Sequence, residues 1–149
     1  MSSCTFFGHR DIPKEIEPIL KSTLIDLIVN KNVDLFYVGN QGGFDTLVQK
    51  NLRFLKLDYP LIDYAIVLAY FPGKLNELNK DLLGTIYPDG LENTPPQYAI
   101  SKRNRWMINK SDYVVTYVKY ITGGAAQFKR LAEKKGKTVV NLADYTKSR

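Results

Sequence analysis

The sequence predicts an α/β protein: a doubly wound, mostly parallel sheet of five strands with helices on both faces. Three observations carry that reading. Short runs of apolar, β-branched and aromatic residues recur along the 149 residues, each about the length of one strand. The segments between them carry apolar residues at helical spacing, and strands alternating with helices make parallel βαβ units. Glycines gather where strands pass into helices, at Gly8, Gly39 to Gly43 and Gly123-Gly124, the edge at which open α/β sheets take ligands.

The first strand is Cys4 to Phe7, running into Gly8-His9-Arg10. Asp11 is placed as N-cap and Pro13 in the first turn of a helix reaching about Asn30. Ile16, Ile19, Leu20, Leu24, Leu27 and Ile28 form its inner face. Val33 to Val38 is the second strand. The turn Gly39-Asn40-Gln41-Gly42-Gly43 follows, then a helix from Phe44 to about Leu57 with Leu47, Leu52, Phe54 and Leu55 as core candidates. That turn matches neither the dinucleotide fingerprint G-x-G-x-x-G nor the phosphate loop ending in Gly-Lys-Ser/Thr. Tyr64 to Tyr70 is the third strand and the longest apolar run.

Residues 72–97 break the pattern. Four prolines with several Asn, Asp and Gly residues predict an irregular, lid-like insertion, with a short helix over Lys74 to Leu83 and a turn at Pro88-Asp89-Gly90. Tyr98 to Asn109 is helical, with Ile100, Trp106 and Met107 as core candidates, or Trp106 stacked on a base. Positions two apart on a helix point in different directions, so only one of Arg103 and Arg105 faces a given site. The last unit, Asp112 to Leu142, has the clearest pattern. Tyr113 to Val118 is a strand and Thr122-Gly123-Gly124 a turn. Ala125 to Lys135 is a helix burying Phe128, Leu131 and Ala132, Gly136 stops it, and Thr138 to Leu142 is the fifth strand. Tyr145 to Arg149 reads as a frayed tail.

The chain is of single-domain size (1–149). A formal net charge of +6 favours anionic partners. One Cys excludes an internal disulfide, and with one His it is too little for a zinc set. No basic segment followed by an apolar one suggests a signal peptide, and no run approaches the ~20 apolar residues of a membrane span. A cytoplasmic protein without a membrane partner is therefore expected, with no metal site and no cofactor beyond a Mg²⁺ carried by a phosphate ligand.

The candidate site is the set of strand ends. N–H groups opening a helix attract an anion, and glycine lets the backbone approach it. Gly8, Gly42, Gly43, Thr122, Gly123 and Gly124 are the backbone candidates. Arg10 is placed to pair with a phosphate and His9 to hydrogen-bond a ligand, against the plainer readings of a surface cation and a loop filler. Asp45 either complements the helix dipole or accepts from a ribose hydroxyl. Arg103 is the basic candidate on the Tyr98 to Asn109 helix, and Glu92, a loop carboxylate before that basic cluster, is the catalytic candidate.

Phe7-Gly8-His9-Arg10, Gly42-Gly43-Phe44-Asp45, Arg103-Asn104-Arg105-Trp106-Met107-Ile108 with Ser111-Asp112, and Gly123-Gly124-Ala125 with the helix end at Ala132 to Gly136 together resemble the SLOG superfamily. These Rossmann-like domains include the Lonely Guy phosphoribohydrolases and the SMF DNA-processing proteins, and the chain is most similar to the small bacterial YpsA-like members. The resemblance implies a Rossmann-like fold, a nucleotide or nucleotide-derived ligand in the crevice, and often a homo-oligomer. One departure matters. Where the phosphoribohydrolase motif carries its helix Glu, this chain has Lys129 or Arg130, and cleaving an N-glycosidic bond generally needs a positioned carboxylate. The expected function is therefore a module that senses or sequesters a nucleotide-derived small molecule. The alternatives are a phosphoribohydrolase-like enzyme, with Glu92 replacing the missing acid, and a single-stranded nucleic-acid binder.

Overall fold

The computed structural model describes residues 2–70 and 85–146. Its strands are β1 (Ser2–Gly8), β2 (Val33–Val38), β3 (Asp63–Val67), β4 (Thr85–Ile86), β5 (Tyr113–Tyr117) and β6 (Thr138–Asn141). The helices are α1 (Ile16–Asn30), α2 (Gly42–Asp58), α3 (Pro96–Lys110) and α4 (Gly124–Lys134), with 3₁₀ turns at Leu91–Asn93 and Leu142–Tyr145. All six strands pair in parallel, in the order β4-β3-β2-β1-β5-β6. The fold is the expected doubly wound α/β sheet, one strand wider than expected.

Strand alternation sorts the core into two layers. Cys4 and Phe6 of β1 and Val115 and Tyr117 of β5 pack with Ile16, Leu20 and Leu24 of α1 and Phe44, Val48 and Leu52 of α2. Their neighbours Phe7 and Val114 face the other way, against Met107 and Ile108 of α3 and Phe128 and Ala132 of α4. A strand with side chains buried on both faces must be apolar throughout, which is why β1 and β5 were so legible. The chain runs outward from β1 through β2, β3 and β4, then crosses to β5 and β6. The switch point therefore lies between β1 and β5, which pair from Cys4–Tyr113 to Gly8–Tyr117.

Several expectations are corrected. Part of the irregular insertion expected over 72–97 is built into the fold: Thr85 and Ile86 extend the sheet beside Ile66 and Val67, and Leu91 is buried against Ala69 and Ala99. Residues 72–84 of that insertion, including the expected helix over Lys74 to Leu83, lie outside the described residues. β3 stops at Val67, and Tyr70 is exposed with its hydroxyl donating to the Pro96 carbonyl at 3.2 Å. Asp11 caps nothing, since α1 begins at Ile16 with Glu15 in the cap position. Phe54 is exposed while Leu52 and Leu55 are buried, because two residues further on a helix turn about 200° away. Of the expected frayed tail, Tyr145 closes the last 3₁₀ turn, and residues 147–149 lie outside the described residues. Gly136 has φ 79° and ends α4 as expected.

Candidate functional site

The two glycine turns, alike in sequence, differ in the fold. At the start of α2 the Gly43 N–H donates to the Arg10 carbonyl at 2.8 Å and the Phe44 N–H to the His9 carbonyl at 3.4 Å. The loop after β1 thus occupies donors that an anion was expected to use. Glycine is required here for packing. A Cβ on Gly43 would run into the Arg10 carbonyl, one on Gly8 into the Phe44 ring, and one on Gly42 would sit 3.1 Å from the Arg10 Cα.

The start of α4 is open. Its first N–H with an acceptor is that of Gln127, to the Gly123 carbonyl at 3.0 Å. Those of Gly124, Ala125 and Ala126 have none among the described residues, and a Cβ on Gly123 or Gly124 would meet nothing within 4 Å. Gly123, at φ 103°, makes the turn that aims this end of the helix.

Beside that end lies a small cavity of about 140 Å³, lined by Gly8, Gln41, Asp45, Arg103, Asn104 and Gly124 among polar and glycine residues, and by Phe6, Phe7, Ile100, Met107, Ala125 and Phe128. It joins the ends of β1 and β2, the start of α4 and the inner face of α3 at the switch point. Arg103 is 2% exposed. Its Nε donates to the Asn104 side-chain oxygen at 2.8 Å and its Nη1 to the Val67 carbonyl at 2.8 Å, leaving Nη2 without a partner among the described residues. Burial works against its charge, while Asp45 and Tyr70 favour it; a guanidinium stays cationic regardless. Arg105, two residues on, is exposed.

Asp45 Oδ2 accepts the Gln41 N–H at 2.9 Å. Burial raises its pKa to about 6, against the Gln41 hydrogen bond and the Arg103 charge, which lower it. Asp45 and Arg103 flank the Gly39 Cα without forming a direct ion pair. A Cβ there would lie 2.7 Å from Arg103 Nη1 and 2.8 Å from Asp45 Oδ2. The Gly39 carbonyl is held by the Gln49 side-chain amide at 2.8 Å.

Of the expected site residues, the fold therefore brings together Gly8, Asp45, Arg103 and Gly124, with Gly123 and Thr122 exposed on the turn above. His9 is not among the cavity's walls: its Nε2 accepts the Lys119 N–H at 2.8 Å, tying the end of β1 to the loop after β5. Burial and the Lys119 charge lower its pKa. Arg10 holds α2 with its backbone and leaves its side chain exposed. Glu92 is exposed and outside the cavity wall. Trp106 packs edge-on to Tyr37 at 5.4 Å between ring centroids, beneath Lys110, so it does not line the cavity. Gly39, Gln41 and Asn104 were read from sequence only as parts of longer motifs, not as site residues. Asn104 carried a signal, because Asn inside a helix disfavours it unless its side chain has work to do. Among the described residues no three His, Cys, Asp or Glu side chains gather as metal ligands, and no helix is long and apolar enough to cross a membrane.

No protein-family model matches the chain, and neither does any curated protein. Solved structures do match. DNA processing protein A of Streptococcus pneumoniae superposes with a TM-score of 0.66 at 18% identity, over 93% of this chain and 49% of that one. The fold resembles that of DNA processing protein A. The Helicobacter pylori form, whose structure describes binding of single-stranded DNA, superposes with a TM-score of 0.63 at 16% identity, over 97% of this chain and 70% of that one. DNA processing protein A is an SMF protein with a Rossmann-like fold of the SLOG type, so the expected likeness holds at the level of the fold. The chain spans about half the length of the Streptococcus pneumoniae DNA processing protein A.

Proposed function

We propose that the chain binds single-stranded nucleic acid at the mouth of this crevice, with a backbone phosphate on the first turn of α4 and one base or sugar edge in the cavity. The observation that carries this is the open start of α4: three N–H groups without acceptors among the described residues, over glycines that leave the approach clear. Such a helix start favours a phosphate through both its donors and its dipole. The cavity, at about 140 Å³, is smaller than the roughly 300 Å³ at which sites enclosing a whole small ligand begin. It suits part of a nucleotide whose remainder stays outside, as in a strand. The net charge of +6 and the single-stranded DNA bound by the structurally similar Helicobacter pylori protein support the same ligand class.

A free nucleotide derivative is the second reading. It is favoured by Asp45 and Arg103, which enter the cavity with hydrogen-bonding capacity left over. Hydrolysis has weaker support, because Asp45 is the one carboxylate among the described residues of the cavity wall.

The test is fluorescence anisotropy of a labelled thymidine oligonucleotide with wild type and Gly124→Asp. An acid at a helix start suits the dipole and keeps the fold, yet it repels a phosphate and competes for the same donors. The variant should bind at least about tenfold more weakly at an unchanged melting temperature. Equal binding would remove the phosphate from α4. Displacement of the oligonucleotide by a mononucleotide at comparable concentration would favour the second reading, and no binding of either ligand would sink both.

A further inference from the structure

Tyr120 and Ile121 stand in the loop between β5 and α4 with 62% and 87% of their surface exposed. Exposed apolar side chains are common on this surface, but these two adjoin each other and the candidate site, where an apolar surface can serve a ligand. The loop carrying them is well fastened. Asn141 Oδ1 accepts the Val118 N–H at 2.9 Å, and its amide donates to the Val118 carbonyl at 3.0 Å. The Lys119 N–H donates to His9 Nε2 at 2.8 Å, and Arg130 Nη1 donates to the Ile121 carbonyl at 2.9 Å. Beneath Tyr120 lies the His9 ring, 5.0 Å away between centroids and tilted by 41°, and His9 in turn meets Tyr117 edge-on at 5.7 Å. Tyr120 is thus held from below and open above.

Its surroundings are cationic. Arg10 and Lys119, next in sequence to His9 and Tyr120, are exposed, as is Arg130. Glu15 and Asp144 share a neighbouring groove with Lys119, so that groove favours an anionic chain less than the start of α4 does. An exposed ring on a rigid base, with exposed cations in the neighbouring loops and next to the proposed phosphate-binding turn, is the combination used to hold unpaired bases. From these residues we infer that Tyr120, backed by His9, is a stacking platform for a nucleobase adjoining the phosphate on α4. Every base has a π face, so the platform is tolerant of sequence. It makes the site prefer a strand of two or more nucleotides to a mononucleotide. This rests on the single-strand reading above and adds a second contact point to it.

Two labelled oligonucleotides of equal length test it, one of thymidine and one of abasic residues. Wild type, Tyr120→Ala and Tyr120→Phe are titrated with each. Tyr120→Ala should weaken the thymidine strand by about five- to a hundredfold, leave the abasic strand unaffected, and be rescued by Tyr120→Phe, which restores the ring. Unchanged thymidine binding in Tyr120→Ala would overturn the platform while leaving the single-strand reading intact. Equal weakening of both strands would also overturn it, because the residue would then be acting on the backbone or the loop. Failure of wild type to bind either strand would overturn the single-strand reading and the platform together.

Discussion

Asp45 shows what burial does to one side chain. Desolvation raises its pKa from 3.8 to about 6, although Arg103 lies across Gly39. Two bonds, from Nε to Asn104 and from Nη1 to the Val67 carbonyl, hold Arg103 as a fixed cation instead of letting it close onto the acid. Between about pH 4 and 6 the folded state keeps a proton on Asp45 that the unfolded chain has lost. Stability owed to that residue therefore declines as pH rises through this window, by about 3 kcal/mol in all. In urea unfolding across this range, wild type should lose that amount relative to Asp45→Asn. A difference independent of pH would show that the carboxyl titrates at its ordinary value. Some of this site was legible from sequence: helical geometry alone separated Arg103 from Arg105. The role of His9 was not, because its partner Lys119 lies 110 positions away and nothing local announces the contact.

At the scale of the element, Gly42-Gly43 and Gly123-Gly124 illustrate how equal composition gives unequal chemistry. The first pair is covered by the loop after β1, whose carbonyls take the helix donors. The second is held away from the rest of the chain by its anchors. Asn141 is the chief anchor: it accepts from Thr116 Oγ1 at 3.1 Å as well as pairing both backbone groups of Val118. Replacing it with Ala removes three hydrogen bonds and should cost about 1–3 kcal/mol. Amide exchange should quicken over residues 118–124 and not in β1. Unaltered exchange there would mean that His9 and Arg130 suffice to hold the loop. β4 is the opposite lesson. Two residues, Thr85 and Ile86, are too few to show a strand pattern, and they pair because β3 presents an open edge.

At the scale of the molecule, the net charge of +6 acts through its placement. Arg10, Lys119 and Arg130 stand near the carboxyl ends of the strands, whereas Lys31 closes α1 before β2 begins, at the other end of the sheet. If a strand lies across the first group, Arg10→Ala should reduce the salt dependence of binding by about 0.7 in the slope of log K against log salt, and Lys31→Ala should leave it unchanged. Equal effects of both substitutions would indicate a diffuse attraction with no defined path. The single-domain expectation is bounded by the structural matches, which cover nearly all of this chain yet only 49% and 70% of theirs.

The sequence by itself determined the α/β class, five of the six described strands and the four described helices, and the edge of the sheet at which a candidate site was sought. These follow from periodicity, glycine placement and strand order, all of which are local or run along the chain. Only the tertiary structure decided which glycine turn stays open, that Asp45 and Arg103 share a cavity without pairing, and that His9 supports a loop instead of facing the cavity. Each of those depends on which groups from distant segments meet. A hydrogen-bond donor or a charge acquires its role from what surrounds it, and that is settled when the sheet and its helices pack.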